Sequence, residues 1–270
     1  MRTFKLILAY DGTDFAGWQW QPRQRTVQGE LQKALQGITQ EKIHCTSSGR
    51  TDAGVHALGQ VVSFDSETYL SPAALAKALN AELPEDMLVF EVVQAPLGFH
   101  AREHAIRKRY RYVIQDGRLP DLFNRKYVWH VYRRLDVDAM REAARSLVGT
   151  HDFASYESSG SRRLSTERTV HDLLIERRQA ELTDRVVIEV EADGFLYNMV
   201  RNIAGTLVAV GKGQEPVSFP ADALAKKDRR AAGMTAPAQG LFLVGVEYGT
   251  EELRIADCGL RIDDDDSGVE

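Results

Sequence analysis

The chain predicts an α+β fold of two ferredoxin-like (RRM-like) halves, with antiparallel sheets forming a pseudo-twofold unit around a central cleft. Three observations carry this. The first hundred residues read strand, helix, strand, strand, helix, strand. The same order recurs from residue 127 in unrelated sequence. A chain of 270 residues with 43% hydrophobic composition is long enough to bury the cores of two such units. On this reading residues 1–100 are the N-terminal half, 101–126 a basic connecting strand, 127–250 the C-terminal half, and 251–270 an acidic tail expected to be disordered.

Phe4 to Tyr10 is a short apolar run ended by the turn-forming "DGT". Val27 to Gln40 carries Val27, Leu31, Leu35 and Ile38 near helical spacing. Lys42 to Thr46 and Gln60 to Asp65 read as strands on either side of a loop. In "SPAALAKALNAELP", Ser71 caps a helix, Pro72 fits its first turn and Pro84 lies beyond its end. Met87 to Val93 closes the first set. In the second set Tyr127 to Tyr132 is strand-like, and Val137, Met140, Ala144 and Leu147 mark a helix. "RTVHDLLIE" and "RVVIEVEA" are strands, Leu196 to Val210 is an apolar helix, and "GLFLVGVEY" is the last strand. Between the sets, "RKRYRYVI" alternates, with Tyr110, Tyr112 and Ile114 on one face and Arg107, Arg109 and Arg111 on the other.

The formal net charge is -5, but the tail "DDDDSGVE" holds five acidic side chains, so residues 1–262 are neutral. Within that body the positive charge is clustered in "AREHAIRKRYR", "SGSRRLSTER" and "KKDRR". Patches of this kind, more than the net charge, set the field that a polyanion meets. Cys45 and Cys258 belong to no CxxC or CxxH spacing, which argues against a disulfide framework or a zinc site; Cys45 reads as a small core residue. There is no apolar run of membrane-spanning length and no secretory leader, so a cytoplasmic location with no membrane association is expected.

The loop "SSGRTDAGVHALGQ" sets Arg50, Asp52 and His56 among glycines between two strands. An aspartate in such a loop often only bonds its own backbone, with Gly54 serving a tight turn and Arg50 making a weak surface pair. The flanks favour chemistry instead. A carboxylate that must stay ionised under a closed substrate needs a cation that keeps its proton on burial, and Arg201 sits beside an apolar helical stripe in "NMVRNI". Tyr110, between cations, has the setting of a side chain that stacks on a nucleobase with flanking phosphates.

"YDGTDFAGWQ", "GRTDAGVHALGQV", "FHAR" with "RYRY", "NMVRNIAGTL" and "APAQGLFLVGV" occur in this order. Over residues 4 to about 248 the chain resembles the tRNA pseudouridine synthase A family. The resemblance implies that Asp52 is the catalytic carboxylate, Arg201 its basic partner, Arg50 the arginine that helps displace the target base, and Tyr110 the residue stacked on the uracil. Arg107, Arg109 and Arg111 are expected to meet the RNA backbone. It also implies a homodimer acting on uridines 38, 39 and 40 of the tRNA anticodon stem-loop, without cofactor or metal. Glu103 follows "FHAR" where relatives often carry an aromatic residue, and the family pattern assigns nothing to the tail.

Uridine and pseudouridine are isomers, so the reaction needs no redox partner or energy source. This agrees with the lack of a P-loop, a dinucleotide fingerprint or metal-ligand spacing in the sequence. Asp52 would serve either by attacking the nucleoside or by taking a ribose proton. Two alternatives compete. "LILAYDGT" is similar to the strand end of aspartate-nucleophile phosphatases, but Ala9 stands where their nucleophile belongs. A non-catalytic RNA-binding or tRNA-chaperone protein on the same fold is the other.

Overall fold

Apolar alternation and near-continuous apolar runs produce ten strands among the described residues, and most of their pairings are antiparallel. The computed structural model describes residues 1–160, 165–179 and 183–249. The acidic tail, with Cys258, lies outside the described residues. In chain order the strands are β1 (Arg2–Tyr10), β2 (Thr46–Ser47), β3 (His56–Ser66), β4 (Met87–Ala95), β5 (Ala105–Asp116), β6 (Trp129–Val131), β7 (Gly149–Asp152), β8 (Glu167–Arg178), β9 (Arg185–Ala192) and β10 (Leu241–Tyr248). Among the described residues five α-helices accompany them: α1 (Val27–Thr39), α2 (Pro72–Glu82), α3 (Val137–Ala144), α4 (Met199–Gly211) and α5 (Phe219–Lys226).

The strands form one sheet in the order β4-β1-β3-β10-β5-β9-β8-β7, with β2 beside β3 and β6 beside β5. Two antiparallel sheets were expected from the sequence; a parallel seam makes them one. β3 begins four residues before the expected Gln60, and its first residues pair with β10 as Phe242↔His56 and Leu243↔Ala57. β10 then pairs antiparallel with β5 from Leu241↔Tyr112 to Tyr248↔Ala105. The basic strand β5 therefore lies at the centre of the sheet, between β10 and β9.

Other departures have local causes. The strand expected at Lys42 to Thr46 shrinks to β2 because α1 satisfies the backbone before it: Gln28 Nε2 donates to the Cys45 carbonyl at 2.9 Å, and the Cys45 N–H donates to Gln32 Oε1 at 3.1 Å. Cys45 is buried, and burial pushes its thiol up, as suits a core residue. Tyr127 to Tyr132 yields only the short β6, parallel to the end of β5. β7 is too short to stand out in the pattern, and α5, burying only Pro220 and Ala223, has no clear apolar stripe.

The helix starts follow their capping residues. The Thr26 side chain accepts from Gly29 N–H, and the Ser71 hydroxyl accepts from Ala74 N–H with Pro72 in the first turn. α4 is different, being buried on almost every side. Gly205 and Gly233 let the segment before β10 cross it closely. A Cβ at Gly205 would lie 1.8 Å from the Met234 carbonyl oxygen. Arg201 is the cationic side chain of α4, and its place on a buried helix fixes where it can point. Among the described residues no helix is long and apolar enough to cross a membrane.

Candidate active site

A cleft of about 1180 Å³ opens where the loop before β3 faces β5 and the start of α4. Asp52, Arg50, Tyr110 and the residues just before Arg201 all line it. The Asp52 loop is held from several sides. Ser48 N–H donates to the Val61 carbonyl, and Gln60 Nε2 donates to the Gly49 carbonyl at 2.9 Å. The Thr51 carbonyl accepts from Trp18 N–H at 2.9 Å, and its hydroxyl meets the Tyr10 hydroxyl at 2.8 Å. Lys108 Nζ donates to the Ser48 carbonyl at 2.7 Å. Val55 N–H closes a turn on the Asp52 carbonyl at 3.1 Å, with Gly54 at φ +77° in the position that demands glycine.

This rigid backbone leaves the Asp52 carboxylate for other work. It accepts nothing from its own turn; its partner is Arg201 Nη1 at 3.5 Å. Burial pushes the carboxyl above the usual aspartate range, and the charge and hydrogen bond of Arg201 offset only part of that. Arg201 is held independently: Nε donates to the Ala236 carbonyl at 2.7 Å and Nη1 to Asn198 Oδ1 at 2.8 Å. Asn198 adopts a left-handed backbone at φ +60°, a conformation that asparagine tolerates better than most residues and that aims its amide at the guanidinium.

Tyr110 is 7% exposed, with its ring edge-on to Phe195 at 5.0 Å. Burial, with the nearby Tyr10 and Asp52, pushes its hydroxyl upward, so it stays a neutral phenol. Arg50 is exposed on the cleft wall, and no described residue holds its guanidinium. The weak pair between Arg50 and Asp52, one of the readings of the loop, does not form.

Arg107, Arg109 and Arg111 do not reach this cleft. They project from the opposite face of β5, where Arg107 and Arg109 pair with Glu191 at 3.2 and 2.7 Å and Arg111 with Glu189 at 2.8 Å. The alternation had already set them across from Tyr110; the acidic partners on β9 were visible only once the strands were paired. Among the described residues the cations that line the cleft besides Arg50 are Arg102, Lys108 and Arg168. Lys108 shares the face of Tyr110 by the same alternation. Arg168 belongs to the basic run "SGSRRLSTER", which is the signal that pointed to it; Arg162 and Arg163 of that run lie outside the described residues. Tyr197, 42% exposed on the cleft wall, had no such signal. No group of three or more metal-ligating side chains occurs among the described residues.

The site joins one under-bonded carboxylate, a fixed arginine, aromatic rings and a cationic rim, an arrangement suited to chemistry on a nucleoside within a polyanion. Comparisons with known proteins agree. "tRNA pseudouridine synthase A" of Thermoanaerobacter sp. (strain X514) is 45% identical over 92% of this chain and 100% of its own. The protein of the same name from Limosilactobacillus reuteri (strain DSM 20016) is 44% identical over 93% of this chain and 99% of its own. Among solved structures, a Cbf5-Nop10-Gar1 complex aligns with 76% of this chain and 54% of that chain at 15% identity and a TM-score of 0.31, too distant to bear on the site. A profile described as tRNA pseudouridine synthase matches residues 6–102 and 143–249, a span that includes both Asp52 and Arg201, and the chain belongs to that family.

Proposed function

We propose that this protein isomerises uridine to pseudouridine at positions 38, 39 and 40 of the tRNA anticodon stem-loop, with Asp52 as the reacting carboxylate. The bond from N1 to C1′ breaks, the uracil turns, and C5 joins C1′. The proton lost from C5 is balanced by the one gained at N1. The observation that carries this reading is the Asp52 carboxylate, aimed into a cation-rimmed cleft with Arg201 as its partner. Whether it attacks the nucleoside or takes a ribose proton, it must be ionised, and Arg201 favours that state.

The target base must leave its stack, at a cost of a few kcal/mol. Arg50 on the cleft wall is suited to displace it, and contact with the Tyr110 ring would offset the cost by about 1 to 3 kcal/mol. In this reading Arg102, Lys108 and Arg168 meet the RNA backbone, and the outward Arg107, Arg109 and Arg111 act at most at the periphery. Recognition then rests on tRNA shape and phosphate more than on base edges.

The strand orders β4-β1-β3-β2 and β10-β5-β9-β8 support two ferredoxin-like halves joined at the parallel seam. On that assignment β5 is the first strand of the second half. A homodimer in the cytoplasm, using no cofactor, completes the proposal.

The test is nucleoside analysis of unmodified tRNA after incubation with the parent protein and with Asp52→Ala. Pseudouridine at 38 to 40 with the parent, and none with a variant that still binds, supports the reading. Binding without conversion by the parent would instead make it an RNA-binding protein on the same fold.

A further inference from the structure

Two signature stretches, "YDGT" and "GRTDAGVH", contribute residues with no part in the chemistry above, and they meet at one buried ring. We propose that His56 is a positioning residue for the Asp52 loop, a neutral imidazole that ties the end of that loop to the Gly12 turn and to the Lys126 carbonyl. The proposal rests on the functional reading given above.

His56 is 2% exposed and begins β3, four residues after Asp52. Gly12 N–H donates to its Nδ1 at 3.0 Å. That nitrogen therefore offers its lone pair, the proton sits on Nε2, and Nε2 donates to the Lys126 carbonyl at 3.2 Å. The ring stacks on Phe242 at 4.7 Å, across the parallel seam. The titratable side chains facing it are Asp11, with Oδ1 at 3.1 Å from Nδ1, and Tyr127, at 5.3 Å between rings. Asp11 Oδ1 is occupied by Thr13 N–H and hydroxyl, and Oδ2 accepts from the Tyr127 hydroxyl at 2.7 Å. Burial holds the imidazole below its usual pKa against the opposing pull of Asp11, which agrees with the neutral form that Gly12 requires.

The ring thus joins three segments that share no helix: the turn after β1, the Asp52 loop and the stretch before β6. Only a flat group with an acceptor at one end and a donor at the other bridges Gly12 N–H and Lys126 C=O at once. The packing leaves little slack. A Cβ at Gly12 would lie 2.0 Å from the carbonyl oxygen of Val55, the residue whose N–H closes the Asp52 turn. Loss of the ring's nitrogens would free that turn to shift, and a displacement of about 1 Å at a reacting group can cost about 100-fold in rate.

His56→Phe keeps a flat ring for Phe242 and removes both nitrogens; His56→Gln keeps an acceptor and a donor. Each is compared with the parent for kcat on saturating tRNA, Kd by filter binding, and thermal melting. We expect His56→Phe to lose about tenfold or more in kcat with Kd within twofold and a cooperative melt, and His56→Gln to recover part of that loss. A kcat within twofold of the parent for His56→Phe would overturn the proposal. So would a rise in Kd in step with lost kcat, or a His56→Gln variant no faster than the Phe variant. If His56→Phe does not fold, His56→Leu, which also removes both nitrogens, is read by the same split: a lower kcat at parental Kd supports the proposal, and a kcat within twofold of the parent overturns it. A parent that converts no uridine would refute the functional reading itself, and is thereby told apart from a failure of His56 alone.

Discussion

Asp52 and Asp116 each face an arginine from a distant part of the chain, and the two pairs are built for opposite ends. Asp116, at the end of β5, is fully covered, and Arg177 grips it with two bonds of 2.7 and 2.8 Å. Leu135 N–H adds a third at 2.7 Å, and Arg134 stands at 3.7 Å. Burial alone would raise this carboxyl, but the Arg177 fork, the Leu135 N–H and the nearby charges hold it below the usual range. Asp52 is 31% exposed and has one arginine contact, at 3.5 Å. Its carboxyl rests above the usual range. A saturated pair locks sheet to loop, whereas an unsaturated pair leaves carboxylate lone pairs open at a cost in stability.

The largest expected effect breaks the comparison if it fails. Asp52→Asn should lower pseudouridine formation by about three orders of magnitude or more while tRNA binding persists. Asp116→Asn should leave turnover per folded molecule near that of the parent. Equal losses in the two variants, measured by nucleoside analysis, would erase the distinction.

Arg177→Ala addresses the other pair. It strands a covered carboxylate, and the expected loss is about 3 to 5 kcal/mol in a denaturant melt. Because the folded pKa of Asp116 is depressed, its stabilising contribution exists above the unfolded value of about 3.9 and fades as pH falls through the folded value. The gap between parent and Arg177→Ala should therefore narrow in acid.

Arg201→Ala sharpens the Asp52 side of the comparison. Arg201 lowers the Asp52 pKa, so its removal raises it, and at a given pH less of the carboxylate is ionised. The acidic limb of the kcat/KM profile should move to higher pH, with a loss of about ten- to a hundredfold near neutrality. An unmoved limb would show that Arg201 does not act through the charge of Asp52.

The smallest effect is on stability. A raised carboxyl pKa contributes stability that is complete below the unfolded value and is lost as pH rises through the folded one. At neutral pH Asp52→Asn should then melt at or above the parent, by less than about 1 kcal/mol, and this advantage should vanish below about pH 4. A clear loss would mean that Asp52 is structural after all.

Much of the candidate site was legible because its residues sit in short, dense motifs. Asp52, Arg50, Tyr110 and Arg201 could be read off as a set, and each lies on or beside the cleft. The contact between His56 and Gly12 could not, since it joins positions 44 residues apart. Alternation put Lys108 on the face of Tyr110, but Glu189 and Glu191 were assigned no partners until β9 paired with β5. That pairing places the three arginines expected to meet RNA in ion pairs with glutamates on β9.

By itself the sequence determined most of the elements, because apolar period and capping residues act within a few neighbours, and it singled out the loop that bears Asp52. The tertiary structure decided the single sheet, the seam between β3 and β10, and which arginine holds which carboxylate. Those depend on strand partners and burial, and an aspartate takes its pKa from what surrounds it in space, which a linear chain does not specify locally.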